Sequence, residues 1–274
     1  MDKIKEEILE SFFVKAVHEP AYRPEFLEQL MSANVYCVGS SAEVNAQDGI
    51  STHLLESGAS VQLKSWEDET YDCVIPFFTS LEKMRLAMDQ EEPFICLPTK
   101  ALFEMTLGAR LVLNPQSPDA TKDFIPDEIQ YLLQGKFSAP VENYEVEEDT
   151  QVLIGQPNEY PQFMIDQLII LFGSQPSVKA AYLAQIFNQA RDTQPTLLIG
   201  LDLEEGLSEK FIQELHSKIG RVTYDSLPEK QAIDLIHLQH DSSEGVVDYL
   251  VNETKAFYLR NNGKKKGLFA RLFS

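Results

Sequence analysis

The amino-acid sequence predicts an α/β (α+β) protein of two consecutive domains, each a mixed β-sheet packed with helices. Three observations lead there. Short, bulky apolar runs alternate with stretches of helical periodicity in both halves of the chain, the pattern of helices laid on a sheet. The 274 residues, 43% of them hydrophobic, are enough for two cores when a domain takes roughly 100–200 residues. Between Gly135 and Pro161 the composition turns acidic, with Glu142, Glu145, Glu147, Glu148 and Asp149 crowded into a stretch of little periodicity. The expected division is an α/β domain over residues 1–138, an acidic linker over 139–150, a second α/β domain over 151–259, and a basic, apolar tail over 260–274.

The first domain opens on a helix: Ile4, Ile8, Phe12 and Ala16 recur four apart, Leu9 and Phe13 lie beside them, and Pro20 stops the run. A shorter helix starts at Pro24, where proline is tolerated in a first turn, and buries Phe26, Leu27 and Leu30. Two extended pieces follow, "NVYCVG" and "SVQLKSW", separated by a polar loop. Residues 73–78 form a bulky run suited to a buried strand, and Thr79 with Glu82 three residues on is a capping-box pattern that opens a helix through Met88. The logic then repeats. Residues 94–97 read as a strand, Thr99 caps a short helix carrying Leu102, Phe103 and Leu107, Gly108 ends it, and residues 110–114 are a strand stopped by Pro115.

In the second domain "TQVLIGQP" reads as a strand, and Met164, Leu168 and Phe172 mark a helix. Residues 178–187 read as a strand, with a helix the open alternative, and "PTLLIGLDL" is a strand. Leu207, Phe211, Leu215 and Ile219 define a helix closed by Gly220, "AIDLIHL" a strand, and Val246, Val247, Leu250, Val251 and Phe257 a last helix.

Charge excludes whole classes of function. The chain carries 43 acids against 23 bases. Arg260, Lys264, Lys265, Lys266 and Arg271 lie in the tail with no acid, which leaves a body of −25 and a tail of +5. A phosphate backbone is repelled by such a body, so nucleic-acid binding is not expected, while encounters with basic protein surfaces are favoured. The N-terminal stretch has acids at Asp2, Glu6, Glu7 and Glu10 and lacks the basic flank and apolar core of a signal peptide. No run approaches the roughly 18 apolar residues of a membrane span. Cys37, Cys73 and Cys96 have no CxxC spacing and fall inside predicted strands, where cysteine serves as a small buried hydrophobe. A cytoplasmic protein is expected.

The stretches "EPAYRPEFLEQL", "VIPFFTSLEKM", "FICLPTKALFEMTLGARLVLNP" and "PTLLIG" together resemble the SseB family of bacteria, named for an enhanced serine sensitivity phenotype. The resemblance runs in order from about Phe12 through Phe257 and spans the N-terminal and C-terminal domains of that family. It implies an architecture and a link to serine tolerance, and it brings no catalytic residue set. The basic tail lies beyond it.

Each chemical motif has a plain structural reading beside it. Ser80 and Lys83 satisfy the S-x-x-K pattern of serine acyl enzymes, but the accompanying elements are missing and a helix cap explains the same residues. His237 and His240, near Asp234 and Asp241, have a spacing that does not put both rings on one face of a strand, so structural or surface histidines are preferred to metal ligands. Glu67, Asp68 and Glu69 read as solvated acids rather than a general acid and base. No glycine-rich phosphate loop occurs, so no cofactor is expected.

The polar segment "HEPAYRPEF" gathers Glu19, Tyr22, Arg23 and Glu25 at a proline-bounded helix junction. Arg23 there either fixes the angle between helices, through Glu19 or helix-end carbonyls, or belongs to a surface for a partner or small ligand. In the tail, Leu268, Phe269, Leu272 and Phe273 share one helical face behind Lys264, Lys265 and Lys266. The leading expectation is a non-catalytic binding or regulatory protein acting through a protein partner, with self-association through the tail also open. An amino-acid sensor or an enzyme with an unrecognised site, and a peripheral membrane adaptor using the tail, are the alternatives.

Overall fold

A computed structural model describes residues 3–41, 61–67, 73–135, 152–188, 192–238 and 245–260. The acidic linker, Asp68, Glu69, His240, Asp241 and the tail beyond Arg260 lie outside the described residues. The chain divides into two compact units, Met1–Pro140 and Val141–Ser274, and each is an α+β arrangement built on a mixed sheet.

The first unit runs α1 (Lys3–His18), a 3-10 turn (Pro20–Tyr22), α2 (Arg23–Ser32), β1 (Asn34–Ser41), β2 (Val61–Leu63), β3 (Ile75–Phe78), α3 (Leu81–Leu86), β4 (Phe94–Pro98), α4 (Thr99–Met105), β5 (Leu111–Leu113), β6 (Lys122–Phe124) and α5 (Pro126–Leu133). Strand β1 pairs antiparallel with β2, β3 and β4, while β3 and β5 run parallel and β5 pairs antiparallel with β6. Strand alternation sorts β1 between two faces. Val35 and Cys37 join the main core with Leu9, Phe13, Phe26, Leu30 and Leu102, whereas Tyr36 and Val38 pack with Phe78 and Met84 on the other side. At the centre Phe77, Phe103 and Phe124 form an aromatic triad with centroids 5.4–5.9 Å apart. Gly39 admits β2 against β1, because a Cβ there would stand 2.2 Å from the carbonyl oxygen of Gln62.

The second unit runs β7 (Val152–Gly155), α6 (Gln162–Gly173), β8 (Val178–Asn188), β9 (Thr196–Leu203), α7 (Glu209–Ser226), β10 (Asp234–His237), α8 (Gly245–Asp248), a π-helical turn (Tyr249–Glu253) and β11 (Tyr258–Leu259). β8 pairs antiparallel with β7, β9 and β11, and β10 joins β9 in parallel. Leu183, Ile199 and Leu201 face α6 and α7, while Ala184, Leu198 and Leu250 form a smaller cluster on the opposite face.

Several local expectations are corrected. Helix α1 forms, but Leu9, Phe13 and Ala16 are its buried stripe and Ile4 and Ile8 are exposed. The cap of α3 is Ser80, whose Oγ accepts from the Lys83 amide; Thr79, one residue earlier, is buried ahead of the cap. Thr99 is the first residue of α4, not its cap, and its hydroxyl donates to the Ala33 carbonyl. Leu107 lies past that helix and is exposed. Gly220 sits inside α7, which continues six residues beyond it to Ser226. Cys73 precedes β3 and is exposed rather than buried. Phe257 lies beyond the last helical turn, and residues 258 and 259 are a strand. Strand β6 and helix α5 add to the expected elements, and Pro126 at the first turn followed by Asp127 and Glu128 is a helix-start signature for α5.

Candidate functional site

Strands β3 and β5 are parallel neighbours, with Phe77 opposite Leu113, so their carboxyl ends open at the same side of the sheet. In α/β sheets that end is where ligands are commonly held, because the loops leaving it are free to diverge. The residues that leave it here are Thr79 and Ser80 after β3 and Asn114 after β5. All three are buried.

A hydrogen-bond network fixes them. The Thr79 amide donates to Asn114 Oδ1 at 2.9 Å, and Asn114 Nδ2 donates to Thr79 Oγ1 at 2.9 Å. The Thr79 and Ser80 hydroxyls both donate to Glu10 Oε1, each at 2.8 Å, which ties the middle of α1 to the sheet. Asn114 holds φ +48°, a left-handed conformation that asparagine tolerates better than most side chains, and Gln116 follows at φ +62°. The loop they start closes on itself, since the Ser117 amide and the Thr121 hydroxyl both donate to the Asn114 carbonyl. Its Asp119 pairs with Lys83 Nζ at 2.5 Å, and Ser117 Oγ lies 3.4 Å from the same nitrogen.

Between α1, α3 and this loop lies a cleft of about 410 Å³, within the range of small-ligand sites. Phe13, Val14 and Ala120 give it apolar wall; Glu7, Glu10, Lys15 and Lys83 give it charges of both signs. Glu10 makes no ion pair among the described residues, and both hydroxyl bonds fall on Oε1, leaving Oε2 open. Lys83 has only 15% of its side chain exposed, while Asp119 has 55%.

The geometry gives the S-x-x-K pair a structural part. Ser80 Oγ donates to Glu10 and accepts from the Lys83 amide, and the Lys83 ammonium is turned to Asp119.

The polar helix junction takes shape separately. Arg23 Nε donates to the Ala16 carbonyl in the last turn of α1 at 3.0 Å, and Lys15 sits 5.0 Å over the Tyr22 ring. Glu25 accepts from the Gln29 amide at 2.8 Å, and the Glu19 amide donates to the Lys15 carbonyl. Glu19, Tyr22, Arg23 and Glu25 are all half-buried, so the junction is a packed corner with its polar tips at the surface.

Over residues 9–131 the chain matches the family model described as SseB protein N-terminal domain, and over 146–260 the one described as SseB protein C-terminal domain. The chain belongs to the SseB family. It is 35% identical over 264 residues to Protein SseB of Escherichia coli (strain K12), covering 96% of this chain and 95% of that protein, and equally to Protein SseB of Shigella flexneri. No solved structure matches the chain.

In the second unit of this SseB-family chain, His237 meets a partner that its sequence neighbours do not reveal. Its Nε2 lies 2.7 Å from Nε2 of His216 on α7. Burial and the neighbouring ring lower the His216 pKa from 6.5 to about 4, and burial lowers that of His237. Among the described residues no group of three or more His, Cys, Asp or Glu side chains is placed to hold a metal ion. Cys37 is buried, with its thiol pushed far up by desolvation, and Cys96 is half-buried and shifted the same way. No helix among the described residues is long and apolar enough to cross a membrane.

Proposed function

We propose that this SseB-family chain is a cytoplasmic, non-catalytic binding or regulatory protein, linked to serine tolerance as the family resemblance implies, that acts through a protein partner. The observation that carries this reading is the outer surface of α1. Ile4, Ile8, Val14 and Val17 stand exposed at 64%, 45%, 40% and 39% on the helix whose Leu9, Phe13 and Ala16 fill the core. Exposed aliphatic side chains of this kind are covered favourably by a partner, at about 25 cal/mol per Å² of apolar area removed from water. The body charge of −25 favours a basic partner surface. Glu19, Tyr22, Arg23 and Glu25 lie directly after this helix, and residues 264–274 are a second handle. The non-catalytic part of the reading is supported by Ser80 and Lys83, whose polar atoms are engaged in holding α1, α3 and the β5 loop together.

Affinity purification of the tagged chain from its native cell tests the reading, with the full chain, a form lacking residues 264–274, and Ile8→Glu. The expected result is a specific partner that re-forms the complex as a purified protein and is weakened by Ile8→Glu or by the deletion. Recovery of no specific partner by any form overturns it.

A second reading, a small-ligand sensor, is favoured by the cleft at the carboxyl ends of β3 and β5, which carries both signs of charge against an apolar wall.

A further inference from the structure

We propose that the cleft between α1, α3 and the loop after β5 binds a free α-amino acid, with the ligand's ammonium on Glu10 and its carboxylate on Lys83. This rests on the sensor reading and names its ligand class. The argument begins with what each group lacks. Glu10 is half-buried and fixed by two hydroxyl donors on Oε1, so its second oxygen is held still, without a cation among the described residues. A carboxylate prepared in that way is an acceptor site for an ammonium group, since the ordering has been done by the fold before the ligand arrives.

Lys83 supplies the opposite half. Its side chain is mostly buried at the cleft wall and its ammonium engages Asp119, whose own side chain is 55% exposed. Asp119 is therefore the exchangeable member of the pair: it returns to water at little cost, and a ligand carboxylate takes its place beside Lys83 and Ser117. The loop that carries both Ser117 and Asp119 is held at its root by Asn114, so it keeps its anchor through the exchange.

Charge balance selects among ligands. A simple amine satisfies Glu10 and gains nothing from Lys83. A simple carboxylate at Lys83 shares the cleft with Glu7 and Glu10, which repel it. A zwitterion carries both groups one carbon apart and adds no net charge to a site that already holds both signs. The wall of Phe13, Val14 and Ala120 meets its side chain, and about 410 Å³ leaves room for an amino acid.

Titration calorimetry on the full chain tests this, with each proteinogenic amino acid as probe and with n-propylamine and propionate as controls bearing one charge. At least one amino acid is expected to bind at millimolar concentration or below, and both controls to bind at least about ten-fold more weakly, as follows from losing one charge-assisted hydrogen bond. Glu10→Gln keeps an oxygen acceptor for Thr79 and Ser80 and removes the charge; Lys83→Met keeps the stem and removes the ammonium. Each is expected to weaken binding by about ten-fold or more, with circular dichroism and thermal unfolding reporting that the variant is folded. Ser117→Ala, outside the Glu10 network, is expected to weaken binding to a smaller degree. If n-propylamine binds as tightly as the amino acids, or if folded Glu10→Gln and Lys83→Met bind as the parent does, this inference fails and the sensor reading stands. If none of the probes binds the parent chain, both fail.

Discussion

The Nε2 atoms of His216 and His237 lie 2.7 Å apart, bringing the middle of α7 onto the end of β10. At that distance one ring donates its Nε2–H to the bare Nε2 of the other, which must then carry its proton on Nδ1. The bond fails when both rings are charged, and burial disfavours charging either. As the pH drops, the unfolded chain takes up protons near 6.5 while folded His216 resists down to about 4. The unfolded state thus holds more protons across that window, and stability is lost between about pH 6.5 and about pH 4 and is level above it. Denaturant unfolding across this range is expected to give falling midpoints for the parent chain and a flatter profile for His216→Gln, which keeps a polar partner for His237 without its own titration.

Asn114 is expected to be among the least replaceable residues of the first unit. It satisfies the Thr79 amide and hydroxyl, accepts at its carbonyl from Ser117 and Thr121, and holds φ +48°. Asn114→Ala is expected to cost about 2–5 kcal/mol from the unpaired buried groups and the strained backbone. Asn114→Gly is expected to cost about 1 kcal/mol less, because glycine removes the backbone part and leaves the hydrogen-bond part. Equal costs in urea unfolding would show that handedness is not part of the role.

Gly39 tests the contact between β1 and β2. An added methyl meets the Gln62 backbone rather than a side chain that can turn aside, so Gly39→Ala is expected to cost about 1–3 kcal/mol. Gly173, where a Cβ meets nothing within 4 Å, is the matched control, and Gly173→Ala is expected to leave the unfolding midpoint nearly unchanged.

The three cysteines are expected to separate in a timed alkylation followed by mass spectrometry. Cys73 is exposed and reacts first, while Cys37, buried and with its thiolate disfavoured by desolvation, reacts only on unfolding. Cys96, half-buried with its thiol shifted upward, falls between them. Fast labelling of Cys37 in the folded chain would contradict the packing of β1.

Much of the fold was legible because local chemistry carries it: bulky runs for β3 and β9, proline at the start of α2, and four-residue spacing in α6. The errors arise where neighbours in space decide. Ile4 and Ile8 share the helical spacing of Ala16, but the sheet meets α1 through Leu9 and Phe13, a choice that no single helix contains. Gly220 looks like a helix end, yet the Leu215, Ile219 and Val222 stripe packed on the sheet carries α7 past it. The cleft was illegible for a related reason. Its groups come from residues 10, 79–83 and 114–119, and only the parallel pairing of β3 and β5 gathers them. In sequence the nearest histidine to His237 is His240, three residues away, while its contact is His216, on a different element.

Asn114 gives the loop over the cleft a property relevant to redesign. The loop's path is set at its root by backbone handedness and by two bonds to one carbonyl, none of which involves the Ser117 or Asp119 side chains facing Lys83. Frame and lining are therefore separable. Positions 117 and 119 can be varied as a two-site library with the scaffold around them unchanged, making this a place to install new recognition by exchanging two side chains.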